Sequence, residues 1–247
     1  MIELEEHGAV QIVRLRHGKV NAMDLELLVA LRETFERLRD AAAVVLTGSG
    51  GSFSAGVDLR RVLDGGHDYA AAFLPALNAA CRAVFEHPRP VVAAVNGHAI
   101  AGGCILVAAC DRRFMAGGTI GVSELAVGVP FPTVPLEILR FAAGPATAEL
   151  VLTSRTMPPP EALAAGLVDE VVPPDELLGR ALGEAERLSR LPAATFAVTK
   201  EQLRRDTIRR IEAGEPADAE RVLAGWTSPE VRATIAGFLE ALTTRRA

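Results

Sequence analysis

Pro90 to Phe114 reads PVVAAVNGHAIAGGCILVAACDRRF. Within it, Val91 to Cys110 is a run of 20 residues without formal charge, which meets the length requirement of a membrane span. Asn96-Gly97 and Gly102-Gly103 divide that run into a β-branched stretch, a turn and a row of small residues. Such punctuation belongs to a buried strand, a loop and a buried helix, because a helix in lipid has no use for two turn signals. The reading is an α/β core.

Upstream, Ile2 to Leu15 predicts two antiparallel strands joined near His7-Gly8, followed by a helix capped by Asp24 with Leu25, Leu28, Leu31, Phe35 and Leu38 on one face to about Asp40. Ala43 to Leu46 is a short buried strand, and Thr47 to Asp64, rich in Gly and Ser, reads as a loop that turns helical towards its end, with a short helix from Leu59. Tyr69 to His87 predicts a helix that Pro75 kinks or restarts. Downstream come a strand at Arg112 to Ala116 and an extended piece at Thr119 to Gly121. Helices opened by proline are expected at Pro132 to Ala142, Pro145 to Thr153 and Pro160 to Ala165, and a short strand at Asp169 to Val172. Beyond that only helices are expected: Asp175 to Ser189, Pro192 to Arg205, Pro216 to Leu223 and Pro229 to Leu242. Their apolar stripes (Leu177, Leu178, Ala181, Leu182; Ile235, Phe238, Leu239, Leu242) must be buried on the first part of the chain or on another subunit. Residues 1–190 are thus expected to form the core, and residues 191–247 a helical region packed on it or on a neighbour.

The 247 residues, 49% of them hydrophobic, suffice for one well-filled core. Lys and Arg number 26 against 31 Asp and Glu, a net charge of −5, so there is no positive field to hold nucleic acid or an anionic membrane. Cys81, Cys104 and Cys110 form no CxxC and suggest neither a metal site nor a redox pair. The opening MIELEEHG lacks the basic and apolar regions of a signal peptide, and a cytoplasmic location is expected.

Two glycine turns carry potential chemistry: Ser54-Ala55-Gly56-Val57-Asp58 and Ala101-Gly102-Gly103-Cys104, each after a strand-like run and before a helix. Such turns expose backbone N–H groups, and a helix start favours negative charge. Neither matches a nucleotide-binding glycine pattern. Together with IGVSELAVGVPFP and RHGKVNAMDLELL, in this order and spacing, they resemble the crotonase superfamily, the enoyl-CoA hydratase/isomerase family. The resemblance runs from about Arg16 through EALAAGLVDEVVP and more loosely into the C-terminal helices.

That resemblance implies a spiral of repeated ββα units with a C-terminal helical region, assembled as a homotrimer or a hexamer that is a dimer of trimers. It implies an acyl-CoA thioester as substrate and no cofactor beyond the CoA that the substrate itself carries. By motif position, the amides of Val57 and Gly102 form an oxyanion hole for an enolate. Lys19, Val20, Ala55, Asp58, Leu59 and Ser123 fall beside the CoA or the acyl group, with Asp58 equally suited to capping a helix. Hydratases of the family carry one glutamate directly after GGC and another in GxxE; here the first place is Ile105 and the second is Glu124. A single carboxylate suffices to move a double bond, so the resemblance is to the isomerase branch, which converts a 3-enoyl-CoA to the trans-2-enoyl-CoA. Hydration by Glu124 alone, another enolate reaction such as decarboxylation or C–C cleavage, and a silent acyl-CoA binder are the alternatives. An apolar setting from Ile105, Val127, Val129 and Phe131 is expected to raise the pKa of Glu124. Arg60 and Arg61, and the group Arg204, Arg205, Arg209 and Arg210, are either solvated helix residues or phosphate contacts. His98 reads as a turn residue and Cys104 as packing.

Overall fold

The computed structural model describes residues 1–244, with side chains to residue 241. In chain order the elements are β1 (Ile2–His7), β2 (Val10–Leu15), α1 (Leu25–Arg37), β3 (Ala43–Thr47), β4 (Ser52–Ser54), α2 (Leu59–Phe85), β5 (Val91–Val95), β6 (His98–Ile100), α3 (Gly102–Ala109), β7 (Arg112–Met115) and β8 (Ile120–Gly121). They continue with α4 (Thr133–Ala143), α5 (Thr147–Leu152), β9 (Thr156–Met157), α6 (Pro159–Ala164), β10 (Glu170–Val171), α7 (Leu177–Ser189), α8 (Ala193–Thr227) and α9 (Pro229–Thr244). Short 3-10 turns lie at Leu125–Val127 and Gly144–Ala146.

The strands alternate between two sheets. One has the order β1-β2-β3-β5-β7-β10, parallel except for the β1 edge, and the other has the order β4-β6-β8-β9, parallel except for β9. Each turn of the chain therefore leaves one strand in the large sheet, one in the small sheet and then a helix: β3-β4-α2, β5-β6-α3. This is the repeated ββα spiral, an α/β fold with a helical C-terminal region.

β3 and β5 are buried along their whole length because helices cover both faces, as parallel sheets require. Val44 and Leu46 face the main core, whereas Ala43 and Val45 face α7, whose Leu177, Ala181, Leu182, Ala185 and Leu188 cover the outer side. The first of the C-terminal stripes is thus buried on the chain itself. The second is buried only in part: α8 lies on α2 and α4, and α9 on α2 and the Leu125–Val127 turn, with Ile235 fully buried, Leu239 packed against the core and Phe238 exposed. The side chain of Leu242 lies outside the described residues. No helix among the described residues is long and apolar enough to cross a membrane.

The boundaries depart from expectation where short or interrupted elements are concerned. The loop expected at Thr47 to Asp64 contains β4, and the turn in the uncharged run contains β6; three-residue strands are too short for any periodicity to register. The short helix from Leu59 and the helix expected from Tyr69 run together as α2, and the break between them is at Gly66 (φ 59°, ψ −145°), not at Pro75. Glycine adopts that conformation without a Cβ penalty, and Arg232 of α9 comes close there. α8 passes unbroken through Pro216, joining two helices expected to be separate; the buried anchors Ile211, Val222 and Trp226 on either side hold it against the lost backbone bond.

Candidate active site

Three parallel strands of the small sheet end side by side. Ser54 pairs with Ala99, Ala99 with Ile120 and Ile100 with Gly121, so the turns following β4, β6 and β8 emerge together at their carboxyl ends. Open α/β sheets bind ligands there. The Ala101 amide donates to the Gly121 carbonyl at 2.9 Å, which places Gly102 beside the segment carrying Glu124. A Cβ on Gly56 would lie 2.6 Å from the Ile100 carbonyl oxygen, 2.8 Å from the Ala101 methyl and 3.4 Å from the Gly102 nitrogen, so the two glycine turns touch.

The direction of the Val57 amide follows from the backbone. Met23 donates to the Gly56 carbonyl at 2.7 Å and accepts from Asp58 at 2.9 Å, a parallel bridge centred on Val57. In that pattern the intervening residue presents its own N–H to the opposite side. Gly102 opens α3, where the first N–H groups have no intrahelical acceptor. Ala101, just before it, has φ 51° and ψ −122°, strained for a residue with a Cβ and worth about 1–3 kcal/mol. Both amides are thus held in turns that the surrounding structure enforces.

Glu124 lies just before the 3-10 turn and is buried. Its Oε2 accepts from the Ser123 amide at 2.8 Å. Burial pushes the carboxyl up to about 7, against the lowering effect of the Glu124 and Ser123 backbone N–H groups. Among the described residues, no charged side chain contributes to that shift. Ile105, Val127 and Val129 are buried in the main core, with Phe131 packed against it, and the Val129 amide donates to the Glu124 carbonyl at 3.0 Å. Cys104 is fully buried, and its thiol is pushed up by burial and by the charge of Glu124, which puts the carboxyl within electrostatic reach of the first turn of α3.

The other expected residues fall around this centre. Val20 accepts from the Ala55 amide at 2.9 Å, joining the His17–Asp24 loop to the glycine turn, with Lys19 exposed next to it. Asp58 caps α2 by accepting from the Arg60 and Arg61 amides, both at 3.1 Å, and Leu59 is half-buried behind it. Ser123 serves Glu124 through its amide. Arg61 is engaged by Glu26 at 2.7 Å and lies over the Tyr69 ring, while Arg60 is exposed. The basic group on α8 is not one surface: Arg204 is buried, paired with Asp111 at 2.8 Å, and Arg210 bonds Glu137 at 2.7 Å. His98 sits in β6, its ring bonded to Thr119.

Sequence reading missed two residues that hold the site. Asn21 (φ 51°, buried) donates to the Ser52 and Phe53 carbonyls, both at 3.1 Å, and its Oδ1 accepts from the His17 amide at 2.9 Å. Ser54 bonds the Asn21 carbonyl at 2.7 Å and accepts from the Gly56 amide at 3.1 Å. Only the polar identity of Asn21 in VNAMD hinted at this, since its partners are distant in the chain.

Paired turn amides beside one buried carboxylate, in a ββα spiral, are an arrangement suited to stabilising an oxyanion while moving a proton. Residues 5–245 match the family model for enoyl-CoA hydratase/isomerase, and the chain belongs to that family. It is 27% identical over 250 residues to human mitochondrial enoyl-CoA delta isomerase 1, covering 98% of this chain and 83% of that one. It is 36% identical over 203 residues to a Rhizobium meliloti protein named "Probable enoyl-CoA hydratase", covering 78% of each. The crystal structure of human mitochondrial delta3-delta2-enoyl-CoA isomerase superposes with a TM-score of 0.94 at 26% identity, over 100% of this chain and 99% of that one.

Proposed function

We propose that this protein moves the double bond of a 3-enoyl-CoA to give the trans-2-enoyl-CoA. The observation that carries the reading is the isolation of Glu124: one buried carboxyl poised near neutrality, with Ile105 where a second acid would stand. Glu124 takes a proton from carbon 2, and the electron pair moves onto the thioester oxygen against the Val57 and Gly102 amides. The same carboxyl returns the proton at carbon 4 as the carbonyl reforms. The step is proton transfer throughout and calls for no cofactor. Lys19, Val20, Ala55, Asp58, Leu59 and Ser123 line the approach of the CoA and acyl groups. The likeness to the human delta isomerase supports this choice within the family.

The test supplies 3-enoyl-CoA and follows the growth of conjugated absorbance; no growth, with loss of absorbance from 2-enoyl-CoA, sinks the isomerase reading in favour of hydration. Two variants sharpen it. Gly56→Ala introduces a Cβ 2.6 Å from a carbonyl oxygen at a φ of +81°, so the turn must shift and carry the Val57 amide with it. Steady-state kinetics should show kcat reduced by about 10²–10³, the size of one lost oxyanion donor. Ile105→Glu adds the missing acid and is expected to raise hydration of 2-enoyl-CoA by about 10-fold or more; an unchanged rate would mean that water is excluded by other features of the pocket.

The assembly we propose is a homotrimer or a dimer of trimers in the cytoplasm. Phe141 and Leu203, 40% and 70% exposed, line one cavity and supply apolar surface for self-association. Sedimentation velocity checks the assembly.

A further inference from the structure

Met23, buried just ahead of α1, touches both glycine turns. Its backbone grips the first: the Met23 amide donates to the Gly56 carbonyl at 2.7 Å, and the Met23 carbonyl accepts from Asp58 at 2.9 Å. A trans peptide is planar, so a Gly56 carbonyl held on Met23 aims the Val57 N–H, which shares its plane, the opposite way. The side chain reaches the second turn. A Cβ on Gly102 would lie 2.8 Å from Met23 Sδ, too close for any side chain there, and 3.7 Å from Met23 Cε, with Leu77 Cδ1 next at 3.9 Å. The thioether therefore fills the space beside Gly102 that a larger residue would claim for itself.

The peptide plane of the second turn is also fixed, because the Ala101 carbonyl accepts from Ile105 at 3.1 Å and turns the Gly102 N–H away from the body of α3. What stays open is the spacing between the two planes. The contact of Gly56 with Ile100 and Ala101 sets one separation. A single contact leaves the turns free to pivot about it, and a second, at Gly102 itself, removes the pivot. Met23 supplies that second contact from the same residue that holds the Val57 plane. It is 1% exposed, and close-packed interiors leave such a side chain little room to swing aside. Two donors serve one oxyanion only when each lies about 2.7–3.1 Å from it, so a spacer common to both acts on the rate.

Resting on the reading of the Val57 and Gly102 amides as oxyanion donors, we propose that Met23 is a positioning residue for the reaction: its backbone and its thioether together set the distance between the two donors. Side-chain length is the property that matters. Leucine ends as many bonds from its α-carbon as the sulfur lies and can take its place, whereas valine and alanine stop short of Gly102. With a shorter side chain the start of α3 settles towards the vacated space, and the two amides no longer converge on one oxygen. The loss falls on the transition state, where that oxygen carries the most charge, more than on ground-state binding.

The experiment compares the wild type with Met23→Leu, Met23→Ala and Leu31→Ala, the last an equally buried truncation further along α1. Kinetics use a 3-enoyl-CoA. Infrared difference spectra use a saturated acyl-CoA labelled with heavy carbon at the thioester carbonyl, whose stretching frequency falls when amides bond to it. The wild type should lower that frequency. Met23→Ala should lower it less and lose about 10- to 100-fold in kcat, the cost of a misplacement of roughly 1 Å, with KM changed by less than about 3-fold. Met23→Leu should keep the frequency and stay within about 3-fold of the wild type in kcat. Leu31→Ala should melt earlier, as Met23→Ala does, yet keep both kcat and the frequency. Should Met23→Ala not fold, Met23→Val takes its place with the same expectation. Wild-type kcat and frequency in Met23→Ala, or losses that Leu31→Ala shares, overturn the proposal while leaving the oxyanion hole intact. A wild type that binds the thioester without lowering its frequency overturns the oxyanion reading, and the proposal with it. A frequency that depends on Met23, with no double-bond migration, overturns the isomerase reading alone.

Discussion

Glu124→Gln is expected to abolish double-bond migration, lowering kcat by about 10³ or more, and at the same time to stabilise the folded protein above neutral pH. Both effects come from one cause. A carboxyl raised to about 7 by burial is a base strong enough to reach a carbon acid, but its ionised form is disfavoured in the fold. The unfolded chain releases that proton near 4.5, so the folded state holds an extra proton between those values. The associated stability is full below about 4.5 and is lost as the pH rises through 7, a change of about 3 kcal/mol. Glutamine has the same shape and stays neutral, so its melting temperature should exceed that of the wild type by roughly 6–12 °C at pH 8.5 and match it at pH 4.5. In the wild type, kcat/KM should rise with pH up to about 7 and then level, because the base must be ionised. A variant that stays active, or melts identically at both pH values, would remove Glu124 from the mechanism.

The second large effect lies away from the chemistry. Asp111 is the acceptor of a buried cluster: its Oδ2 takes the Val91 amide at 2.8 Å and Lys200 Nζ at 2.6 Å, and its Oδ1 takes Arg204 at 2.8 Å. The Arg204 guanidinium lies 4.2 Å from the centre of the Phe85 ring, so α8 is held to the start of β5 through charge, amide and aromatic face together. Asp111→Ala leaves two cations buried without their anion, at a cost of about 3–5 kcal/mol and a fall in melting temperature of roughly 10 °C or more. Lys200, lowered to about 8 chiefly by burial, gives the loss a pH signature. Asp111 raises the pKa of Lys200, so without it the lysine falls further below 8 and sheds its proton earlier; the deficit of the variant should therefore narrow as the pH rises through about 8 and stay level beyond. Thermal melts at pH 7 and pH 9.5 decide the matter; a loss below about 1 kcal/mol would mean that the cluster contributes little net stability.

What could be read from the sequence depended on the range of the interactions. The uncharged run from Val91, the Asp24 cap and the leucine face of α1 were legible because their causes lie within a few residues. The glycine turns and Glu124 were legible as motifs, and their meeting was supplied by family resemblance, since nothing local says that Gly56, Gly102 and Gly121 end adjacent strands. β4 and β6 escaped for the same reason: three residues become a strand only when a partner lies beside them. Arg204 was misread because helical spacing among arginines does not reveal which of them meets Asp111 from another element. Gly66 was overlooked in favour of Pro75, although a proline is accommodated once neighbouring turns are anchored and a glycine breaks freely.

The contact between the two glycine turns restricts how this chain can change over generations. Position 56 has no room for a side chain while the Ala101 methyl and the Ile100 carbonyl are where they are, and any enlargement at 101 pushes back on 56. A substitution at either place displaces both amides proposed as oxyanion donors, so selection acts on the pair as a single trait.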